Sequence, residues 1–115
     1  MAVRARLTDW WRRRRITAPR LDRIERYRSQ AELPESLPRH QLAIVGTPQS
    51  PKWLVLECPC GSGHRLTVNL TGSRQPSWRV VDAETGPNVF PSIDFDGSER
   101  RCHFWIRDGR VRWSR

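Results

Sequence analysis

The segment Cys58-Pro59-Cys60-Gly61-Ser62-Gly63-His64 most constrains what this chain can fold into. It holds two thiols, a glycine-bearing turn and an imidazole within seven residues, and a third cysteine recurs far downstream beside a histidine, at Cys102-His103. A closed structural zinc site takes four ligands from such side chains. Cys58, Cys60, His64, Cys102 and His103 are the candidates, and a shared metal would cross-link strands distant in sequence. The single residue between Cys58 and Cys60 departs from the usual knuckle spacing of two or more. The competing reading is three small buried hydrophobes, a common fate of reduced cysteine. A Cys58–Cys60 disulfide would close a strained ring and leave one thiol over, so a secreted disulfide framework is not expected.

With 115 residues, 37% hydrophobic and 29% charged, the chain can hold one small core with a polar appendage. Small domains bury a smaller fraction of their surface, so a metal cross-link would add useful stability, favouring a structural site over a catalytic one. No apolar run approaches the roughly 18 residues of a membrane span, and no continuous apolar segment follows the first basic residues. A cytoplasmic protein without a transmembrane segment is expected.

Net charge is +9, unevenly distributed. Residues 1–30 carry ten arginines against Asp9, Asp22 and Glu25, and the remainder is nearly neutral. Leu7, Trp10 and Trp11 fall at helical spacing ahead of Arg12-Arg13-Arg14-Arg15, and Leu21, Ile24 and Tyr27 form a second helical stripe after Pro19. Residues 1–30 therefore read as a basic helical arm. Arg12, Arg13, Arg14 and Arg15 are its candidate polyanion-binding residues, for nucleic acid or an acidic protein partner, against the plain alternative of a solvated basic face. Residues 31–41, with Pro34 and Pro38, read as a linker.

From residue 42 the pattern becomes β-rich. Leu42–Val45, Trp53–Glu57, Leu66–Leu70 and Trp78–Val81 are short strands separated by turn signals at Gly46–Pro51, Gly61–Gly63 and Gly72–Pro76. Phe104–Arg107 and Arg110–Trp113 flank Asp108-Gly109, a two-residue type I′ signal, and so form a hairpin. The fold expected for 42–115 is mainly β, a small antiparallel zinc-ribbon-like meander. Alternation puts Cys102, Phe104 and Ile106 on one face and His103, Trp105 and Arg107 on the other. Cys102 and His103 therefore cannot both reach one metal from a regular strand. The expected ligand set is Cys58, Cys60, Cys102 and His103, with His64 as the alternative fourth ligand.

The ordered motifs over about 45–113 resemble a bacterial domain-of-unknown-function family of small zinc-binding proteins. The residues that carry the likeness are Val45-Gly46, Pro51-Lys52-Trp53, the Cys58–His64 segment, Trp78, Phe90-Pro91-Ser92-Ile93, Cys102–Arg107, Gly109 and Trp113. The resemblance implies a Cys₃His zinc site and a neighbourhood of ubiquitin-like conjugation genes. Where members place a cysteine three residues before the histidine this chain has Arg100, and Cys102 directly precedes His103.

A catalytic zinc needs an open position and a nearby general base, whereas thiolate-rich ligation lowers Lewis acidity. Asp94 and Asp96 read as loop residues, and a Cys102 nucleophile would point away from His103. The chain therefore reads as a non-enzymatic, zinc-stabilised binding or adaptor module, and the resemblance implies that it is accessory to ubiquitin-like conjugation. The alternatives are a nucleic-acid-binding accessory protein using the arm and, less favoured, a zinc-dependent hydrolase. Trp53, Trp78 and Trp113 read as core, while Trp105, beside Arg107, marks a docking face.

Overall fold

Ala43 and Val45 are as deeply buried as Leu42 and Ile44, so this strand is covered on both faces. A single solvent-backed ribbon cannot do that. The computed structural model describes residues 20–97 and 101–114. It contains eight strands: β1 (Arg23–Tyr27), β2 (Gln41–Thr47), β3 (Ser50–Glu57), β4 (Arg65–Asn69), β5 (Arg79–Ala83), β6 (Gly86–Asp96), β7 (Arg101–Arg107) and β8 (Arg110–Trp113). They form two four-stranded sheets, ordered β1-β2-β3-β4 and β5-β6-β7-β8. All pairings are antiparallel except β1 with β2.

The period-2 alternation explains the core. Leu42, Ile44, Leu54, Leu56, Leu66 and Val68 from the first sheet meet Val89, Ile93, Phe104 and Ile106 from the second in one cluster. Phe104, fully buried, takes an edge contact from Trp113 with ring centroids 5.4 Å apart. The outer face of the first sheet is covered separately. Leu37 joins Ala43, Val45 and Val55 there, flanked by Tyr27, Leu33 and Trp53.

The expected strands from 42 to 81 and the closing hairpin are present. Asp108 (φ 52°) and Gly109 (φ 70°) both adopt the left-handed conformation that a type I′ turn requires. Three expectations need correction. The stripe Leu21, Ile24 and Tyr27 is not helical: residues 23–27 pair in register with β2, and Leu21 is fully buried in the core. Burial and strand pairing override the helical spacing there. The described residues show one short 3-10 turn, Gln30–Glu32, and no helical arm; the Leu7–Trp11 stripe and Arg12–Arg15 lie outside them. Second, two sheets sharing a core replace the ribbon-like meander, and residues 31–41 pack Leu33 and Leu37 against the fold rather than linking to it. Third, Asp94 and Asp96 lie in β6, the longest strand. Its two prolines, Pro87 and Pro91, argue against a strand in sequence, but Pro87 is buried where β6 pairs with Asp82, and Pro91 sits in a bulge. No helix among the described residues is long and apolar enough to cross a membrane.

Candidate metal centre and serine–histidine pair

Glu57 and Arg65 are the last register pair of β3 and β4, so the residues between them form the closing loop of that hairpin. The loop is tightened by hydrogen bonds from the Cys58 N–H to the His64 carbonyl (2.9 Å) and from the Gly61 N–H to the Cys58 carbonyl (3.2 Å). Gly61 (φ 82°) and Gly63 (φ 90°) supply the left-handed turns that fold the histidine back toward the cysteines. Cys102 arrives from β7 in the other sheet, facing inward beside Phe104 and Ile106.

One ligand atom each from Cys58, Cys60, His64 and Cys102 lies within 4.8 Å of all the others. None of the three cysteines forms a disulfide. A tetrahedral zinc with Zn–S near 2.3 Å and Zn–N near 2.0 Å needs donors about 3.5–3.8 Å apart. The group is compact enough to hold a metal ion with only a small tightening, and it would tie one sheet to the other. His103 is not part of it, because alternation along β7 turns its ring to the opposite face. The histidine that the structure brings to the cysteines is His64.

Electrostatics within the group are uneven. Burial pushes the Cys58 thiol well above its ordinary range. Burial also acts to raise Cys60, but hydrogen bonds from the Ser62 hydroxyl and backbone, with Cys58 and Cys102, outweigh it and bring this thiol down to about 6. His64 stacks on Phe95 with centroids 4.8 Å apart, and its Nδ1 lies 2.6 Å from Ser62 Oγ.

A second constellation occupies the outer face of the second sheet. The register of β6 against β7 moves from Val89↔Ile106 to Ile93↔Phe104, so β6 carries two extra residues over that interval. Such a bulge re-aims side chains. Here it accompanies a hydrogen-bonded pair, Ser92 Oγ and His103 Nε2, 2.8 Å apart. The Ser92 carbonyl accepts a hydrogen bond from Trp78 Nε1 at 3.1 Å, fixing that peptide. Asp94 lies directly across from His103. Its carboxylate takes two hydrogen bonds from the Arg101 guanidinium, at 3.0 and 2.7 Å. That contact, reinforced by the charge of Arg101, outweighs the opposing effect of desolvation and holds the Asp94 carboxyl below the usual range. Trp105 shares this face, and the Arg107 guanidinium lies 4.9 Å from its ring and 5.0 Å from that of Phe90.

The described part of this chain is therefore a two-sheet β protein with a Cys₃His group between the sheets and a serine–histidine pair on one outer face. Residues 29–114 match the sequence model of a family described as bacterial ubiquitination-like system serine protease (BubE), and the chain belongs to this family. No match was found among curated proteins or among solved structures. The family agrees with the link to ubiquitin-like conjugation genes, while its description is silent on zinc. It overturns the expectation of a non-enzymatic module, since a serine protease family is an enzyme family. Ser92 lies outside the thiolates and carboxylates that stand out in the sequence. Its only signal was the Phe90-Pro91-Ser92-Ile93 motif, which does not by itself place the hydroxyl near an imidazole.

Proposed function

We propose that this chain is a serine peptidase of a bacterial ubiquitination-like system, with Ser92 as nucleophile and His103 as general base on a zinc-held β scaffold. The observation that carries this reading is the 2.8 Å contact between Ser92 Oγ and His103 Nε2, the geometry that lets an imidazole accept the hydroxyl proton. In the first half-reaction Ser92 Oγ bonds to the carbonyl carbon of the scissile peptide and its proton passes to His103 Nε2. The C–N bond then breaks, the amine leaves with that proton, and an acyl ester remains on Ser92. Water adds to the ester, giving a proton to His103. Collapse releases the carboxyl product and returns the proton to Ser92. Asp94 lies across the strand pair from His103, with its carboxylate held by the Arg101 guanidinium.

Of the two serine–histidine pairs, Ser62–His64 suits the metal centre better. Ser62 Oγ is also 3.0 Å from Cys60 Sγ, and His64 belongs to the cysteine group. Cys58, Cys60, Cys102 and His64, through Nε2, would hold zinc, with Nδ1–H donating to Ser62 as an orienting partner. Four protein ligands, three of them thiolates, make a closed structural site, and the ion would supply cross-linking rather than chemistry.

The test is labelling of the full chain with a fluorophosphonate, followed by peptide mass mapping. A single adduct on Ser92, absent in Ser92→Ala and strongly reduced in His103→Ala, is the expected result. An adduct on Ser62, or none, would overturn the assignment.

A further inference from the structure

The pairing of β5 with β6 stops at Arg79↔Phe90, so among the described residues β6 has a strand neighbour beyond the bulge on its β7 side only. The edge of β4 is likewise the end of its sheet. Between these two edges lies a groove of about 410 Å³ whose walls include Trp53, Leu66, Val68, Trp78, Asp94 and Phe95. That volume is within the range of binding sites and accommodates one or two side chains.

Hydrogen-bond phase shows what the edges offer. The His103 carbonyl accepts from the Ser114 N–H at 2.8 Å, so the His103 peptide groups point toward β8. Asp94, its partner on β6, then directs its own N–H and C=O away from β7, into the groove. On the other wall the Leu70 N–H donates to the Lys52 carbonyl at 2.9 Å, a phase that turns the Thr67 peptide groups away from β3. Among the described residues no strand pairs with either edge, although the Asn69 carbonyl at the end of β4 accepts from the Trp78 N–H at 2.8 Å, which leaves the stretch around Thr67 open. The groove also abuts the chemistry. Asp94 is two residues from Ser92, and Trp78, part of the groove wall, holds the Ser92 carbonyl.

We infer that this groove is the substrate site, and that it takes an extended polypeptide segment as an added strand on β6 at Asp94. An apolar side chain of that segment enters between Trp53, Trp78 and Phe95, and the chain continues past Ser92. Strand addition supplies main-chain hydrogen bonds at every second residue and selects side chains by pocket. This inference rests on the Ser92–His103 reading, and the experiment separates the two.

The full chain is incubated with a library of proteome-derived peptides, cleavage sites are read by mass spectrometry, and a peptide that is cut is resynthesised with single backbone N-methyl groups. In parallel, fluorophosphonate labelling reports Ser92 independently of the groove. The inference expects an apolar residue recurring at one fixed distance from the cut, and a loss of about tenfold on N-methylation at alternate positions only. Labelling of Ser92 with cleavage that ignores both sequence and N-methylation overturns the groove while leaving the nucleophile. Neither labelling nor cleavage overturns both.

Discussion

Cys102 and His103 are consecutive in β7 yet belong to different chemical centres on opposite faces of one sheet. Cys102 faces inward to Cys58, Cys60 and His64, while His103 faces outward to Ser92. One strand therefore links the cysteine group to the face that carries the Ser92–His103 pair, because whatever fixes Cys102 also fixes the backbone that aims His103.

The first prediction separates the two histidines. Purified protein should contain one zinc per chain by elemental analysis, and Cys58→Ser, Cys60→Ser, Cys102→Ser and His64→Ala should each lose it. His103→Ala should retain it. Metal lost from His103→Ala and kept in His64→Ala would reverse the assignment.

Catalysis should divide the other way. Ser92→Ala and His103→Ala should lower peptide hydrolysis by about 10³-fold or more while leaving zinc content and the unfolding midpoint near those of the parent. Loss of activity accompanied by loss of zinc in both would indicate that the effect is structural.

The Cys60 thiol, brought to about 6, sets a pH signature in metal-stripped protein. A lowered thiol value means that the reactive thiolate persists down to that pH and is protonated below it. Alkylation of Cys60 by iodoacetamide should therefore rise through a midpoint near 6, with Cys58, held protonated by burial, reacting far more slowly at neutral pH. A Cys60 midpoint in the ordinary thiol range would refute this.

Leu21 tests the element that sequence spacing assigned to a helix. It is fully buried, and Leu21→Ala should cost about 2–5 kcal/mol by the usual penalty for emptying a core site, measured by urea unfolding. A change well under 1 kcal/mol would mean that the strand before β2 is dispensable.

Much of the fold was legible because β-strand alternation is written directly into residues such as Cys102, Phe104 and Ile106, and because Asp108-Gly109 admits few backbone conformations. The cysteine members of the metal group were legible from residue type alone. What escaped depended on register. Ser92 and His103 are eleven residues apart, and the bulge between Val89 and Ile93 decides whether they meet. Neither that bulge nor a strand running through Pro87 and Pro91 follows from local propensity. The helical spacing of Leu21, Ile24 and Tyr27 misled for the complementary reason: the same spacing serves a strand once a neighbour such as β2 is available to pair with it.

The Leu21 N–H donates to the Gly109 carbonyl at 2.7 Å, and two residues later the same segment becomes β1, the edge of the other sheet. This stretch thus acts as a clasp, one end fastened to the β7–β8 turn and the other to β2. The region shared with the family begins at residue 29, after the clasp has closed. Similarity therefore underestimates the folding unit: a chain trimmed to the family boundary would keep the Cys₃His group, the Ser92–His103 pair and most of the shared core, and lose this additional fastening between the sheets.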